Sequence, residues 1–340
     1  MAGGALDGVT VVDVTSVGMG PMATQMLGDM GADVIKVEQR EGDVFRHVTP
    51  QRHHGMSHTY LNLNRNKRSV VLDLKSAGGI EQLLSLLGKA DVFVSNMRAP
   101  ALRRLGLDAE RLTETHPRLI HCGCYGYSER GPYGGRAAVD DTIQAACGLA
   151  WLQGSAGSEV VADKAVALYV ANAITAALFA RERTGRGQAI EVPMFECMVS
   201  FLAVEHLAGL TFVPPEGAAG YSRLLNAFRK PFATTDGFIG VVPYTDAQWK
   251  RFFELVGAPE LLADNRFATA VARSRHFAPL YEIVEQALKK RSTAQWITLL
   301  QDADIPFAPV NSFDDLLDDP HLAAIGFWKR VEHPTEGSLI

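Results

Sequence analysis

A glycine-rich turn near the N-terminus is the first place where residue types and spacing point to chemistry. The stretch Gly18-Met19-Gly20-Pro21-Met22-Ala23 has small residues at the spacing of a dinucleotide-binding turn, and Glu38 follows about twenty residues later. In such turns the backbone approaches a pyrophosphate and the acid binds a ribose hydroxyl, which makes an NAD-dependent enzyme one hypothesis. The alternative is a tight turn where some other group approaches the backbone closely. The motif alone leaves both open.

A single aspartate, Asp163, precedes a long helical pattern that runs from about Lys164 to Thr184. A carboxylate at a helix start can accept backbone N–H bonds and is stabilised by the positive end of the helix dipole. Both effects favour the ionised form, which a carboxylate needs to act as a nucleophile at neutral pH. The alternative is an ordinary N-cap, because Asp is common at helix starts.

Other polar clusters carry weaker signals. Arginines and lysines that could bind a polyphosphate occur near predicted strand ends, where charged residues are usually solvated: Arg40, Lys75, Arg98, Arg103 and Arg104. His53, His54 and His58 lie close together in the chain, but no carboxylate or cysteine is patterned with them, so we expect no metal. The four cysteines are too few for a disulfide scaffold and form no zinc-ligand pattern.

Composition excludes several classes of partner. The chain has 340 residues, of which 47% are hydrophobic and 21% charged, as expected for a folded soluble protein. Its net charge of −5 argues against broad binding of nucleic acid or anionic membrane. The start MAGGALDG lacks the basic and apolar segments of a signal peptide, and we expect a cytoplasmic protein.

The elements that must position these residues alternate between strand and helix. The apolar patterns predict strands at Val9–Thr15, Asp33–Glu38, Val92–Ser95 and Leu119–Tyr125, and helices at Pro21–Gly31, Gly79–Leu87 and 99–115. Such alternation is typical of a parallel sheet covered on both faces. We therefore predict an α/β, Rossmann-like doubly wound large domain.

The rest of the chain completes this domain and adds a second one. A strand at Ala189–Val192 and a helix at 194–209 end a large domain over 1–209, and 210–225, rich in Pro and Gly, is predicted as a linker. A smaller α/β domain is expected over 226–325, with a strand ending near Val241 and helices near 246–256, 278–289 and 293–303.

Taken together, a succession of segments resembles the class III (CaiB/BaiF-type) CoA-transferase family, which includes formyl-CoA and carnitine CoA-transferases and the related α-methylacyl-CoA racemases. The matching segments are LDGVTVVDVTSVGMGPMATQMLGDMGADVIKVE (6–38), LNRNKRSVVLDLK (63–75), NMRAPALRRLGL (96–107), GYSERGPYGGRAAVDD (126–141), Asp163, ALFARERTGRGQAIEVPMFE (177–196) and, more weakly, PFATTDGFIGV (231–241). The resemblance covers residues 6–200 densely and the remainder loosely.

The resemblance implies that the large domain binds coenzyme A rather than NAD, that Asp163 is the catalytic aspartate, and that two chains form an interlocked-ring homodimer. It places CoA contacts at Val17, Gly18, Leu72, Lys75, Asn96, Met97 and Arg104, with Arg136 as a phosphate partner. Family members often have arginine directly after the IKVE segment. Here Gln39 takes that place and Arg40 follows, which weakens the assignment of Arg40 as a contact.

The implied chemistry is a transfer of CoA from an acyl-CoA thioester to a free carboxylic acid through an aspartyl-CoA thioester on Asp163, with backbone amides of the loop Gly217–Gly220 as candidate oxyanion donors. Racemisation is the alternative. It needs a histidine just before the aspartate of a GRAGHD-like stretch, where this chain has Val139, and valine cannot exchange a proton. An inactive CoA-binding protein is a third possibility that leaves Asp163 unexplained.

A second departure from the family concerns the C-terminus. Relatives continue beyond a GxL-like segment into a tail that returns to the large domain, whereas this sequence stops at GSLI (337–340). We expect 326–340 to be the start of that returning segment, truncated here. No sequence pattern identifies the acyl groups.

Overall fold

The computed structural model describes residues 3–154, 159–222 and 224–340. Their contacts divide the chain into two compact units, Met1–Glu205 and His206–Ile340.

The first unit is built on a six-stranded parallel sheet. The strands are β1 (Thr10–Asp13), β2 (Asp33–Glu38), β3 (Lys67–Val71), β4 (Val92–Ser95), β5 (Ile120–Gly123) and β6 (Ala189–Glu191). Their order across the sheet is β3-β2-β1-β4-β5-β6, and every neighbouring pair is parallel. The chain therefore reverses its direction of winding between β1 and β4. At such a switch point the loops after the two strands diverge and leave a crevice for ligands.

Helices cover both faces of this sheet, because alternate residues of each strand point to opposite sides. Val11 belongs to one apolar core with helices α1, α8 and α9, whereas Val12 belongs to another with α3, α4 and α5. The helices are α1 (Met19–Asp29), α2 (His58–Asn64), α3 (Ala77–Leu87), α4 (Ala99–Leu105), α5 (Ala109–Thr115), α6 (Asp140–Ala146), α7 (Leu149–Gln153), α8 (Val161–Thr184) and α9 (Met194–His206). The predicted α/β class and parallel sheet are confirmed.

Two sequence-based assignments in this unit are wrong. The single helix expected over 99–115 is two helices, because Gly106 takes a left-handed conformation with φ +67° and ends α4. The strand β3 was not predicted. Its pattern of partly exposed residues has no continuous apolar run, as is common for a strand at the edge of a sheet.

Helix α8 is the longest helix of the described chain and runs through the core. It begins at Val161, three residues before the predicted start, and ends at Gly185 as predicted. It alone among the described helices is long and apolar enough to cross a membrane, but half of its most apolar stretch is buried within the protein. A core helix of a soluble protein has these same properties.

The second unit combines helices with antiparallel strands. The strands β7 (Phe232–Ala233), β8 (Phe238–Val241) and β9 (Phe307–Pro309) form one sheet, and β10 (Val331–His333) pairs with β11 (Gly337–Leu339). The helices are α10 (Asp246–Leu255), α11 (Ala270–Arg275), α12 (Phe277–Leu288), α13 (Thr293–Asp302), α14 (Phe313–Leu317) and α15 (Pro320–Ala324). Their core is rich in aromatic side chains such as Trp249, Phe252 and Trp296.

Candidate active site

A cavity of about 440 Å³ opens where strands of the first unit end, and Asp163 lines it. The loop after β1 contributes Val17 and Gly18, and the loop after β4 contributes Asn96. Because the carboxyl ends of parallel strands share one edge of the sheet, residues far apart in the chain meet here. The sequence-predicted residues Val17, Gly18, Asn96, Arg136 and Asp163 are brought together in this lining.

Asp163 lies inside the first turn of α8, as its third residue, and not before the helix as predicted. Its backbone N–H donates a hydrogen bond to Asp140 Oδ1 across 2.8 Å, so an external carboxylate satisfies this free amide of the helix start. Within the described parts of the chain, no group donates a hydrogen bond to the Asp163 carboxylate itself. The residue is therefore not a cap, and its side chain is available to a ligand.

The charge state of Asp163 also differs from the sequence-based expectation. Burial, and after it the negative charges of Asp140 and Asp141, raises the pKa of Asp163 from 3.8 to about 6. The prediction that the helix start would favour ionisation is wrong here, because desolvation and like charge outweigh the dipole. At pH 7 the carboxylate is still mostly ionised, and its higher basicity makes it a stronger nucleophile than an ordinary aspartate. Such a shift in a cleft marks a candidate functional residue.

Gly18 lies directly against this carboxylate. A Cβ built on Gly18 would come within 2.1 Å of Asp163 Oδ2, far inside van der Waals contact. The φ of Gly18 is −105°, which any residue can adopt, so the glycine is required by space and not by backbone conformation. The close approach that the sequence motif suggested is thus made to Asp163, a group of the protein itself.

A second cavity, of about 340 Å³, lies beside the first and is formed where β1, β2, β3 and β4 end. The predicted CoA contacts Leu72, Lys75, Asn96 and Met97 line it. Ser16 and Asn96 line both cavities. They are joined by two hydrogen bonds, from Ser16 N to Asn96 Oδ1 (3.2 Å) and from Asn96 Nδ2 to the Ser16 carbonyl (2.8 Å).

Two predicted contacts lie elsewhere. Arg40 and Arg104 are exposed and do not line either cavity as the described residues define them. Gln39 stands in the second cavity instead of Arg40. Arg136 packs its guanidinium over the Tyr133 ring, 4.0 Å from the centroid, at the cavity of Asp163.

Glu38, the acid of the dinucleotide-like motif, is fully engaged within the protein. It forms an ion pair with Arg46 across 2.6 Å and accepts hydrogen bonds from Ser69 and Tyr60. Burial opposes its ionisation, but the hydrogen bonds of Arg46 and Ser69 outweigh it and hold the pKa of Glu38 at about 2. Because these donors occupy the acceptor positions of the Glu38 carboxylate, it cannot also accept a hydrogen bond from a ribose hydroxyl.

Two functional candidates were missed from the sequence. Asp140 lies within the quoted segment GYSERGPYGGRAAVDD, but its bond to the Asp163 amide and its charge beside the Asp163 carboxylate arise only in the folded chain. Asp43 is buried and accepts from the Val17 N–H at 3.2 Å and 3.3 Å. Both acids are far from their partners in the chain, so spacing alone carries no signal.

Two further candidates are a group of histidines and the loop Gly217–Gly220, whose role as an oxyanion donor stays a prediction. His53, His54 and His58 take part in no group of three metal-ligating side chains within the described ranges. The loop Gly217–Gly220 belongs to the second unit, where Gly220 has φ +98° and donates its N–H to the His206 carbonyl.

Comparison with known proteins shows to which family the chain belongs. The family model described as CoA-transferase family III matches residues 6–340. The chain is similar to succinyl-CoA:glutarate CoA-transferase of Homo sapiens, with 30% identity over 98% of this chain and 78% of that protein. It is 32% identical to succinate–glutarate CoA-transferase of Agrobacterium fabrum, over 98% of this chain and 86% of that one. A crystal structure of a CAIB/BAIF family protein from Brucella suis has a TM-score of 0.82 at 30% identity and covers 99% of this chain and 95% of its own.

The fold and the site define an α/β enzyme whose free carboxylate lies in a cavity at the carboxyl edge of a parallel sheet. Because the family model spans nearly the whole chain, the protein belongs to CoA-transferase family III and is a CoA-transferase. The family resemblance found in the sequence is confirmed.

Proposed function

We propose that this enzyme moves CoA from an acyl-CoA thioester to a free carboxylic acid with Asp163 as the nucleophile. The observation that carries the proposal is the position of the Asp163 carboxylate. It lies in a cavity without a hydrogen-bond donor from the described residues and has a pKa of about 6. This cavity shares the lining residues Ser16 and Asn96 with the second cavity.

The transfer proceeds through two anhydrides and one aspartyl thioester. A carboxylate oxygen of Asp163 attacks the thioester carbonyl, the C–S bond breaks, and a mixed anhydride and CoA thiolate result. The thiolate attacks the aspartyl carbonyl and releases the donor acid as a carboxylate, which leaves aspartyl-CoA. The acceptor carboxylate then displaces the thiolate from Asp163, and the thiolate attacks the acceptor carbonyl and frees Asp163. No net proton is consumed.

The second cavity is the proposed site of the CoA nucleotide, bound in a Rossmann-like manner at the edge of the sheet. Its lining by Leu72, Lys75, Asn96 and Met97 supports this assignment, since an apolar wall and a cation suit an adenine and a phosphate. Val17, Gly18 and Arg136 would contact the thioester end. Arg40 and Arg104, which are exposed and outside the cavity lining, stay predicted contacts of the CoA phosphates. No metal or NAD takes part in this scheme.

Racemisation receives no support from the cavity. Val139 lines it at the position where a racemase would need its histidine, and the described lining residues include no histidine. The racemase reaction would use that histidine to exchange the α-proton, and valine cannot take this role.

Exposed apolar side chains on α8 support the proposed interlocked homodimer. Leu168 and Phe179 are 59% and 61% exposed, and Val204 on α9 is 84% exposed. Leu168 and Phe179 are about three helical turns apart and therefore lie on one face of α8. An exposed apolar face of this kind marks an interaction surface. We propose that a second copy covers them, and that the dimer works in the cytoplasm.

The names of the relatives suggest the first substrates to test. Two of them act on succinate and glutarate, so succinyl-CoA with glutarate is the starting pair, followed by a panel of other acyl-CoA donors and free acids. Product masses from this panel identify the donor and the acceptor directly.

The decisive experiment is intact-protein mass spectrometry after mixing the enzyme with acyl-CoA donors. We expect a hydroxylamine-sensitive CoA adduct that maps to Asp163 and disappears in Asp163→Ala. Asp33→Asn is the control, because Asp33 is an exposed aspartate of the same unit that pairs with Arg68 on the surface. This variant retains the adduct.

Other outcomes would assign a different function. Undiminished turnover in Asp163→Ala would disprove the mechanism. Exchange of an α-proton with solvent deuterium, without exchange between acids, would indicate a racemase. Tight NADH binding without affinity for CoA would indicate a dehydrogenase.

A further inference from the structure

Val17 has a backbone conformation that a β-branched residue rarely adopts. Its φ is +73°, in the left-handed region, although it carries a branched Cβ. Such a conformation is strained and persists only where the surroundings enforce it. Val17 directly precedes Gly18, whose α-carbon lies against the Asp163 carboxylate.

A buried ion pair binds the backbone at the Thr15 carbonyl and at the Val17 N–H, directly before the strained φ of Val17. Asp43 accepts the Val17 N–H at 3.2 Å and 3.3 Å, and Lys36 Nζ donates to Asp43 Oδ2 at 3.0 Å and to the Thr15 carbonyl at 2.9 Å. Lys36 and Asp43 are 1% and 4% exposed. The Asp43 carboxylate is itself fixed, because it also accepts the Phe45 N–H at 3.0 Å.

We propose that Lys36 and Asp43 are positioning residues, which hold Val17 in its left-handed conformation and thereby keep Gly18 packed over the carboxylate of Asp163. This inference rests on the proposed role of Asp163 as nucleophile. Neither Lys36 nor Asp43 takes part in bond making. Their effect is to exclude water from one side of the nucleophile and to fix the direction from which a thioester can approach it.

Buried charges hold this turn more firmly than apolar packing could. A charge-assisted bond has a defined direction, whereas an apolar contact tolerates sliding. A buried pair is rarely the most stable filling of a core, and a role in holding one specific geometry is a reason for its presence. The charged groups that line the cavity with Asp163 are the acids Asp140 and Asp141 and the cations Arg98 and Arg136, and Cys124 and Tyr125 are its other titratable side chains.

The test replaces the pair by apolar side chains in the full chain. Lys36→Met with Asp43→Leu removes both charges at once, which avoids a lone buried charge. We expect aspartyl-CoA formation to slow by roughly ten- to a hundredfold, with a larger change in kcat than in KM, because small displacements of reacting groups have effects of that size. The pH at which the rate is half-maximal should fall, since a looser turn hydrates Asp163.

Relief of the strain provides the rescue. Adding Val17→Gly to the double variant allows the left-handed conformation at no steric cost, and we expect it to restore at least part of the lost rate. Arg181→Met is the control for stability, because it breaks the largely buried pair with Asp91 at the opposite end of β4. This control should lower Tm without changing the pH profile.

Three results would overturn the inference: an unchanged rate in the folded double variant, a loss that Val17→Gly does not restore, or the same pH shift in Arg181→Met. If the double variant does not fold, hydrogen exchange on the wild-type chain decides. The Val17 amide must be as protected from exchange as the amides of the core. Rapid exchange there would contradict the proposed role of Lys36 and Asp43. Absence of any wild-type adduct on Asp163 would instead disprove the proposed function.

Discussion

The carboxylate of Asp163 and the α-carbon of Gly18 are in contact, so that the space a side chain would take at position 18 is filled by the nucleophile. A Cβ there would lie 2.1 Å from Oδ2 and 3.0 Å from Cγ of Asp163. The position of one residue therefore limits the identity of the other, although 145 positions separate them in the chain (163 − 18).

Gly18→Ala should reduce transferase activity without unfolding the protein. The added methyl group has no way to coexist with Asp163 Oδ2 in its present place, so the carboxylate must rotate or the turn must shift. We expect a fall in kcat of roughly a hundredfold, the size of effect seen when a reacting group moves by about 1 Å. Steady-state kinetics with the succinyl-CoA and glutarate pair measures it.

Gly78→Ala is the matched control for that change. Gly78 lies in α3, and a Cβ there meets no atom within 4 Å. Alanine favours a helix over glycine by about 1 kcal/mol, so this variant should be fully active and slightly more stable. Equal activity of Gly18→Ala and Gly78→Ala would show that the close contact has no catalytic consequence.

The rate of aspartyl-CoA formation should fall as the pH drops through about 6, the pKa to which burial and the charges of Asp140 and Asp141 raise Asp163. In Asp140→Asn the midpoint should move to lower pH, because one negative neighbour is gone while the amide oxygen can still accept the Asp163 N–H. Rapid-quench measurements between pH 5 and pH 8 follow this midpoint. A midpoint that stays fixed in Asp140→Asn would rule out the charge effect.

Asp163→Asn should stabilise the protein against heat at neutral pH. Because the folded-state pKa of Asp163 is raised, its ionised form destabilises the fold relative to the unfolded chain, where the pKa is 3.8. The stabilisation should be full above about pH 6 and vanish below about pH 4, where the wild-type carboxyl is neutral in both states. Calorimetry at pH 7.5 should show a Tm higher by roughly 2–4 °C. A difference that grows toward acid pH would have the wrong sign.

Charge introduced on the exposed face of α8 should weaken self-association. Leu168→Glu places a carboxylate where a 59% exposed leucine would otherwise be covered by a second copy. Sedimentation should show a smaller species or a raised dissociation constant. Gln82→Glu, on an exposed position of α3, adds the same charge away from that face and should leave the mass unchanged. If both variants behave like the wild type, α8 is not the interface.

Much of the first unit could be predicted from local patterns. The buried strands β1, β2 and β4 were found because each is a short apolar run next to a helical pattern. The edge strand β3 was not, since a strand with one neighbour keeps polar residues and loses the apolar signal. Gly106 shows a related limit, because a glycine within a helical pattern gives no sign of whether it adopts a left-handed conformation.

The sequence could predict which residues form the site, but not the pKa of the aspartate within it. Asp163, Gly18 and Asn96 were identified from the family resemblance, and they line one cavity. The direction of the pKa shift of Asp163 was not, because it depends on burial and on Asp140, which is 23 positions away (163 − 140) and meets it only in the folded chain. The sequence indicated that a helix dipole would lower the pKa of Asp163, but it gave no measure of the desolvation that raises it.

The closed network around Glu38 has a consequence for anyone redesigning this scaffold. Arg46, Ser69 and Tyr60 together occupy the carboxylate that a nicotinamide enzyme would offer to its sugar. No single substitution frees the Glu38 carboxylate, because removing one donor leaves the other two in place. It also leaves the buried charge of Glu38 with fewer hydrogen bonds. A change of coenzyme on this backbone would require several simultaneous replacements, and intermediate variants would be less stable than the parent.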